Sequence, residues 1–207
     1  MNTSKQHIGA KQTFWSLINE QESNNILIPE IQRDYTYGSL TEDTEKVLNN
    51  MLDNIRKSLY DNNEPEMTMN FVYGYTEENI NYVPLDGQQR LTTLFLLHLY
   101  LANKEGKKPE FDAIIREGKN SKFTYETRTS SREFCNALVC NSFDTNSLLP
   151  NDEKKLNSLS KTIKDSEWYF SSWDNDPTIR SMLTMLDSIH EKFKNSNGYF
   201  DKLINID

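Results

Sequence analysis

Glycine is scarce in this 207-residue chain, at seven residues, and none of them falls in a Gly-rich loop ending in Gly-Lys-Ser/Thr or in a Gly-x-Gly-x-x-Gly run. The familiar P-loop and dinucleotide folds are thereby disfavoured. Cysteine is scarcer still: Cys135 and Cys140 are five apart, a spacing that matches no zinc or redox motif, and they read as reduced packing residues on one helix. The three histidines His7, His98 and His190 fall in a polar tail and two helical stretches, so no Ser-His-Asp or Cys-His arrangement is suggested. Long apolar runs are missing as well. The first thirty residues have no signal-peptide core, and no stretch approaches the roughly 18 apolar residues of a membrane span, so the expected location is cytoplasmic, without membrane contact. Lys and Arg number 23 against 31 Asp and Glu, a formal charge of −8 that argues against a broad duplex-DNA footprint while leaving room for a local basic pocket.

What the chain does have is one organised stretch, Val83-Pro84-Leu85-Asp86-Gly87-Gln88-Gln89-Arg90-Leu91-Thr92-Thr93-Leu94. Strand-like residues end at Val83, Asp86-Gly87 is a turn signal, and residues 91–101 are almost continuously apolar, which predicts a strand, a tight loop and a buried helix in succession. Such a junction aims backbone N–H groups and the positive end of the helix dipole at one point, while Gly87 clears the approach and Arg90, Gln88 and Gln89 add donors. An ordinary turn with a helix cap has the same pattern.

A second polar loop, residues 29–38, contains Gln32, Arg33, Asp34, Tyr35 and Tyr37. The Arg33 fork, the Gln32 amide and the tyrosine faces suit an anion or a planar ring. The loop gains functional weight only if it lies against Asp86. A local ion pair beside a packed tyrosine is the plainer alternative.

In chain order, Phe14, Leu17 and Ile18 predict a short helix, and residues 26–29 a short strand closed by Pro29. Ser39 and Glu42 have capping-box spacing ahead of an amphipathic helix through Val47, Leu48, Met51, Leu52, Ile55 and Leu59. Residues 69–75 and 80–83 predict a hairpin leading to Asp86. His98, inside the apolar helix, reads as a hydrogen-bonded core residue. Residues 123–127 suggest a strand, and Ser130 with Glu133 suggests a capped helix. Arg128 and Arg132 beside it either face a phosphate or satisfy Glu126 and Glu133, the structural role being favoured. Residues 141–155 read as a polar boundary. Beyond it a helix is expected over 156–170 with a Trp168-Tyr169-Phe170 cluster, then a break, then a last helix with Asp176 as N-cap and Pro177 at its first position.

Residues 28–35 (Ile-Pro-Glu-Ile-Gln-Arg-Asp-Tyr) and 85–94 (Leu-Asp-Gly-Gln-Gln-Arg-Leu-Thr-Thr-Leu) together closely resemble the paired signatures of the N-terminal domain of GmrSD-type restriction proteins. Residues 128–134 and 176–183 resemble later segments of the same family, so the likeness covers most of the chain. It implies an α+β fold with a ParB and sulfiredoxin-like small sheet over residues 1–145 and a helical extension over 146–207, leading to a further C-terminal domain. In those relatives a Gly-x-x-Arg loop at a helix start binds nucleotide phosphates, and Gly87 and Arg90 match its fixed positions. Sulfiredoxins place a reactive cysteine inside that loop where this chain has Gln88 and Gln89, so thiol chemistry is not implied.

The resemblance further implies a nucleoside triphosphate as substrate or ligand, with Mg²⁺ as its companion, and control of a nuclease in defence against foreign, modified DNA. The expected partners are DNA, through the full-length protein, and an HNH-type nuclease domain in cis or in trans, with self-association also open. On this reading the N–H groups around Gly87, together with Gln88, Gln89, Arg90, Thr92 and Thr93, hold phosphates. Arg33 neutralises charge on the transferred phosphoryl, Gln32 or Gln88 orients water, and Asp86 positions that water or holds Mg²⁺. A non-hydrolysing switch that binds nucleotide or DNA phosphate would use the same cradle. Direct DNA cleavage by this domain is the third reading, for which the sequence offers neither a carboxylate cluster nor an activated histidine.

Overall fold

The fold is that of a computed structural model, which describes residues 11–19, 25–30, 34–37, 42–60, 71–77, 81–145 and 158–204. It is α+β: a four-stranded mixed sheet lies against one side of a buried helix, and further helices cover the other side.

The sheet consists of β1 (Asn25–Ile28), β2 (Tyr73–Glu77), β3 (Asn81–Asp86) and β6 (Phe123–Tyr125), in the order β2-β3-β1-β6. β1 runs parallel to both β3 and β6, and β2 pairs antiparallel with β3 as the outer half of a hairpin. A two-stranded ribbon of β4 (Arg116–Glu117) and β5 (Asn120–Ser121) precedes β6. Along β1 the alternation buries Ile26 and Ile28, while β6 buries Phe123 and Tyr125.

The central helix α3 (Gln88–Lys104) is apolar nearly all round because both its sides are covered. Against the sheet, Phe95 stacks on Phe123 with ring centroids 4.7 Å apart, and the hydroxyls of Thr92 and Tyr125 meet at 3.1 Å. On its far side lies α7 (Pro177–Phe193), where the Tyr100 hydroxyl reaches His190 Nδ1 at 3.1 Å. One hydrophobic core spans the sheet, α3 and α7, so the stretches on either side of residue 145 share it. Around it sit α1 (Phe14–Asn19), α2 (Glu42–Tyr60), α4 (Lys108–Ile115), α5 (Thr129–Cys140), α6 (Leu159–Lys164) and α8 (Tyr199–Ile204). Lys192 of α7 binds the Asp53 carboxylate of α2 at 2.8 Å, and Ser160 of α6 binds Asp187 of α7.

The α+β expectation holds, as do the hairpin and the Asp176–Pro177 helix start, with Asp176 Oδ1 accepting from the N–H groups of Thr178 and Ile179. Three local expectations need correction. Of the helix expected over 156–170, the described residues form α6, residues 159–164. Trp168, Tyr169 and Phe170 leave the helical path, and Tyr169 and Trp173 pack edge-on against Phe134 of α5. The expected break at 171–176 contains a 3-10 turn, Ser171–Asn175, that seats Trp173 in the core. Ser130 does not cap α5: Arg128 occupies the N-cap position, and the Ser130 hydroxyl donates to Asp176. The capping-box positions 39–41, and residue 156 where a helix was expected to start, lie outside the described residues.

His98 is buried as expected, with Nδ1 bonded to the Leu94 carbonyl at 2.7 Å and its ring against Phe14 and Trp15. Among the described residues its Nε2 meets no hydrogen-bond partner, and burial lowers its pKa to about 4. Both cysteines are free thiols. No helix among the described residues is long and apolar enough to cross a membrane.

Candidate functional site

The strand–loop–helix junction is built as its residue types require. β3 ends at Asp86, Gly87 takes φ +93°, and α3 begins at Gln88 with the Leu91 N–H bonded to the Gly87 carbonyl at 2.9 Å. A side chain at 87 would be strained by that left-handed φ, and its Cβ would also lie 2.7 Å from Val72 Cγ2. The first N–H groups of an α-helix have no intrahelical acceptor, and the helix dipole adds roughly half a positive charge at that end. Arg90 stands beside this helix start. Its Nη2 donates to the Phe71 carbonyl at 2.7 Å and to Asp86 Oδ2 at 2.9 Å, so the hairpin and the helix start share one guanidinium.

Gln89 points to the second loop. Its Nε2 donates to the Asp34 carbonyl at 2.8 Å, and its Oε1 accepts from the N–H groups of Thr36 at 2.9 Å and Tyr37 at 3.3 Å. One amide side chain thus bonds the backbone of residues 34–37 as a neighbouring strand would. Below it, the Thr93 hydroxyl donates to the Gln89 carbonyl at 2.9 Å and meets the Tyr35 hydroxyl at 2.8 Å. Since the single Thr93 proton goes to Gln89, Tyr35 donates to Thr93. Tyr35 is fully buried and its pKa is far above the ordinary tyrosine value, chiefly through desolvation, so it is a neutral donor.

The back of the same loop is held from the helical side. Arg128 pairs with the Asp34 carboxylate and donates to Thr178 Oγ1 at 3.1 Å, and Thr178 Oγ1 also accepts from the Tyr35 N–H at 3.3 Å. Thr178 opens α7 next to Asp176, whose Oδ2 accepts the hydroxyls of Ser130 and, at 2.8 Å, Ser131. The starts of α5, α7 and α3 therefore meet around residues 34–37. Arg132, the other flanking arginine, instead donates to the Glu126 carbonyl at 3.4 Å.

Of the residues expected at the site, Asp86, Gly87, Gln88, Gln89 and Arg90 are together at the start of α3, and Thr92 and Thr93 lie one turn further in. Both threonines are buried, with their hydroxyls on Tyr125 and Tyr35. Gln88 is buried too. Gln32 and Arg33 lie outside the described residues. Arg128 and Thr178 were not expected at the second loop: each is legible alone as a helix-start residue, but nothing local in sequence says that they meet residues 34 and 35.

Fold and site together define an α+β domain in which a glycine-started helix and a distant polar loop are fastened into one surface. The family model for the GmrSD restriction endonuclease N-terminal domain matches residues 14–206. The chain belongs to that family. No curated protein and no solved structure matches it.

Proposed function

We propose that this domain binds the phosphates of a nucleoside triphosphate at the start of α3 and hydrolyses it to regulate a nuclease acting on foreign, modified DNA. The observation that carries the reading is the left-handed Gly87 at the head of α3, with the Arg90 fork beside it and residues 34–37 bonded across it by Gln89. A left-handed turn into a helix N-terminus, with an arginine beside it, supplies what a phosphate needs: N–H donors and charge. The resemblance to the Gly-x-x-Arg phosphate loop of ParB and sulfiredoxin-like proteins supports the same assignment.

Within this proposal Gly87, Gln88 and Arg90 contact phosphate, while Gln89, Thr92 and Thr93 hold the site in shape through the contacts described above. Arg33 and Gln32 keep the roles of charge neutraliser and water-orienting group. Among the described residues no group of three or more His, Cys, Asp or Glu side chains is placed to hold a metal ion. Asp86 alone suits Mg²⁺ that arrives with the nucleotide, since Mg²⁺ is commonly held by one or two carboxylates, phosphate oxygens and water. Asp86 Oδ2 lies on Arg90 here, so holding Mg²⁺ would require the carboxylate to leave that guanidinium.

Arg90→Ala tests the reading. Nucleotide affinity and phosphate release both fall, the barrier to turnover rising by about 2.7–4 kcal/mol as for loss of a key electrostatic donor. Undiminished binding and turnover would sink the site. Nucleotide binding without phosphate release, in the presence of Mg²⁺ and DNA, supports instead the reading of a non-hydrolysing switch.

A further inference from the structure

Of the seven large hydrophobic side chains exposed among the described residues, Tyr73, Tyr75 and Leu85 fall on the β2–β3 hairpin and Phe71 two residues before it, with Phe71 86% and Tyr73 61% exposed. An exposed aromatic cluster of this kind marks a contact surface more often than a packing accident. Its place is specific. Arg90 Nη2 binds the Phe71 carbonyl at 2.7 Å and Asp86 Oδ2 at 2.9 Å, and Asp86 is the ladder partner of Tyr73. Directly opposed residues of an antiparallel pair project from the same face with Cβ atoms about 4.5–5.5 Å apart, so the Tyr73 ring rises beside the carboxylate that holds Arg90.

Two local devices fix this placement. The register shifts between Tyr73 and Gly74, so that Leu85 and Asp86 together face Tyr73; such a bulge turns side chains away from the regular alternation. Gly74 lets the strands close, because a Cβ there would lie 2.2 Å from the Val83 carbonyl oxygen. Tyr73 is thus set on an edge strand of the sheet, with Phe71 just before it, beside the start of α3.

We propose that Phe71 and Tyr73 form a stacking surface for the base of the nucleotide whose phosphates lie at Gly87–Arg90. The inference rests on the phosphate-site reading and extends it. A nucleotide is a polyanion at one end and a flat π-system at the other, and this edge of the sheet offers an arginine beside a helix start next to two exposed rings. Stacking of a base on an aromatic ring needs no base-specific hydrogen bond, which suits a surface made of rings alone.

The test compares ATP and GTP with inorganic tripolyphosphate on the purified protein and on Phe71→Ala, Tyr73→Ala and Tyr73→Phe. Both rings are exposed, so the substitutions leave the core intact. Expected is a rise in Kd for ATP or GTP of about fivefold to a hundredfold for each alanine variant. Tripolyphosphate affinity stays unchanged, and Tyr73→Phe binds nucleotide as the natural protein does. Unchanged nucleotide affinity in both alanine variants would overturn the stacking surface while leaving the phosphate site standing. Equal weakening of nucleotide and tripolyphosphate would overturn it as well, the rings then acting through Arg90. Failure of the natural protein to bind either ligand would remove the phosphate site, and the stacking surface with it. Weakened binding of a short single-stranded oligonucleotide with ATP and GTP unaffected assigns the rings to DNA and overturns the proposal.

Discussion

Gln89→Leu separates the fastening of the two loops from everything else at the site. Leucine keeps the size of the side chain and loses no helix propensity in the first turn of α3, so the helix itself is spared. What disappears is the donor to the Asp34 carbonyl at 2.8 Å and the acceptor for the Thr36 and Tyr37 N–H groups at 2.9 and 3.3 Å. Each protein hydrogen bond is worth about 0.5–1.5 kcal/mol net. Thr36 is exposed and rehydrates readily, whereas Asp34 and Tyr37 are half-buried, so a total of roughly 1.5–3 kcal/mol is expected to leave the closed loop. At about 1.4 kcal/mol per factor of ten, hydrogen exchange at the Thr36 and Tyr37 amides accelerates by about tenfold to a hundredfold. Exchange at Leu97 and Leu99, deep in α3, serves as the control and stays as it was. Gln89→Glu keeps the acceptor and loses the donor, so the two amides retain more of their protection than in the leucine variant. Unchanged exchange in Gln89→Leu would mean that Arg128 and Thr178 hold the loop alone, and would refute the clamp.

Gly87→Ala meets both the left-handed backbone and Val72. The cost is about 1–2 kcal/mol for the backbone and about 1–3 kcal/mol for the overlap, measured by urea denaturation. In a Val72→Ala background the second part is recovered and the first is not; a full recovery would refute the backbone argument. His98 makes stability fall in acid. Its folded pKa of about 4 lies below the ordinary 6.5, so the unfolded chain binds the proton first, and the stability held above pH 6.5 is lost as pH falls towards 4. The loss is up to about 3 kcal/mol, and in His98→Phe the denaturation midpoint measured against pH flattens over that window.

How much of this was legible in the sequence depends on the range of the interaction. The strand ending at Asp86, the Gly87 turn and the buried helix after it are local, and periodicity with one glycine reveals them. Asp176 followed by Pro177 likewise announces a helix start from two residues. The failures share a cause in contacts across the chain. Ser130 looked like a cap because the spacing to Glu133 suits one, but Asp176, 46 positions away, takes its hydroxyl. Trp168, Tyr169 and Phe170 left the helical path because Phe134 and Trp173 offered packing that a continuing helix would have lost. Thr92 and Thr93 looked like phosphate ligands, and only the positions of Tyr35 and Tyr125 show where their hydroxyls go. The same long-range logic gives the second loop its meaning. Residues 34–37 are held by α3 through Gln89 and by α7 through Thr178, so a displacement of either helix start must strain the bonds to the other.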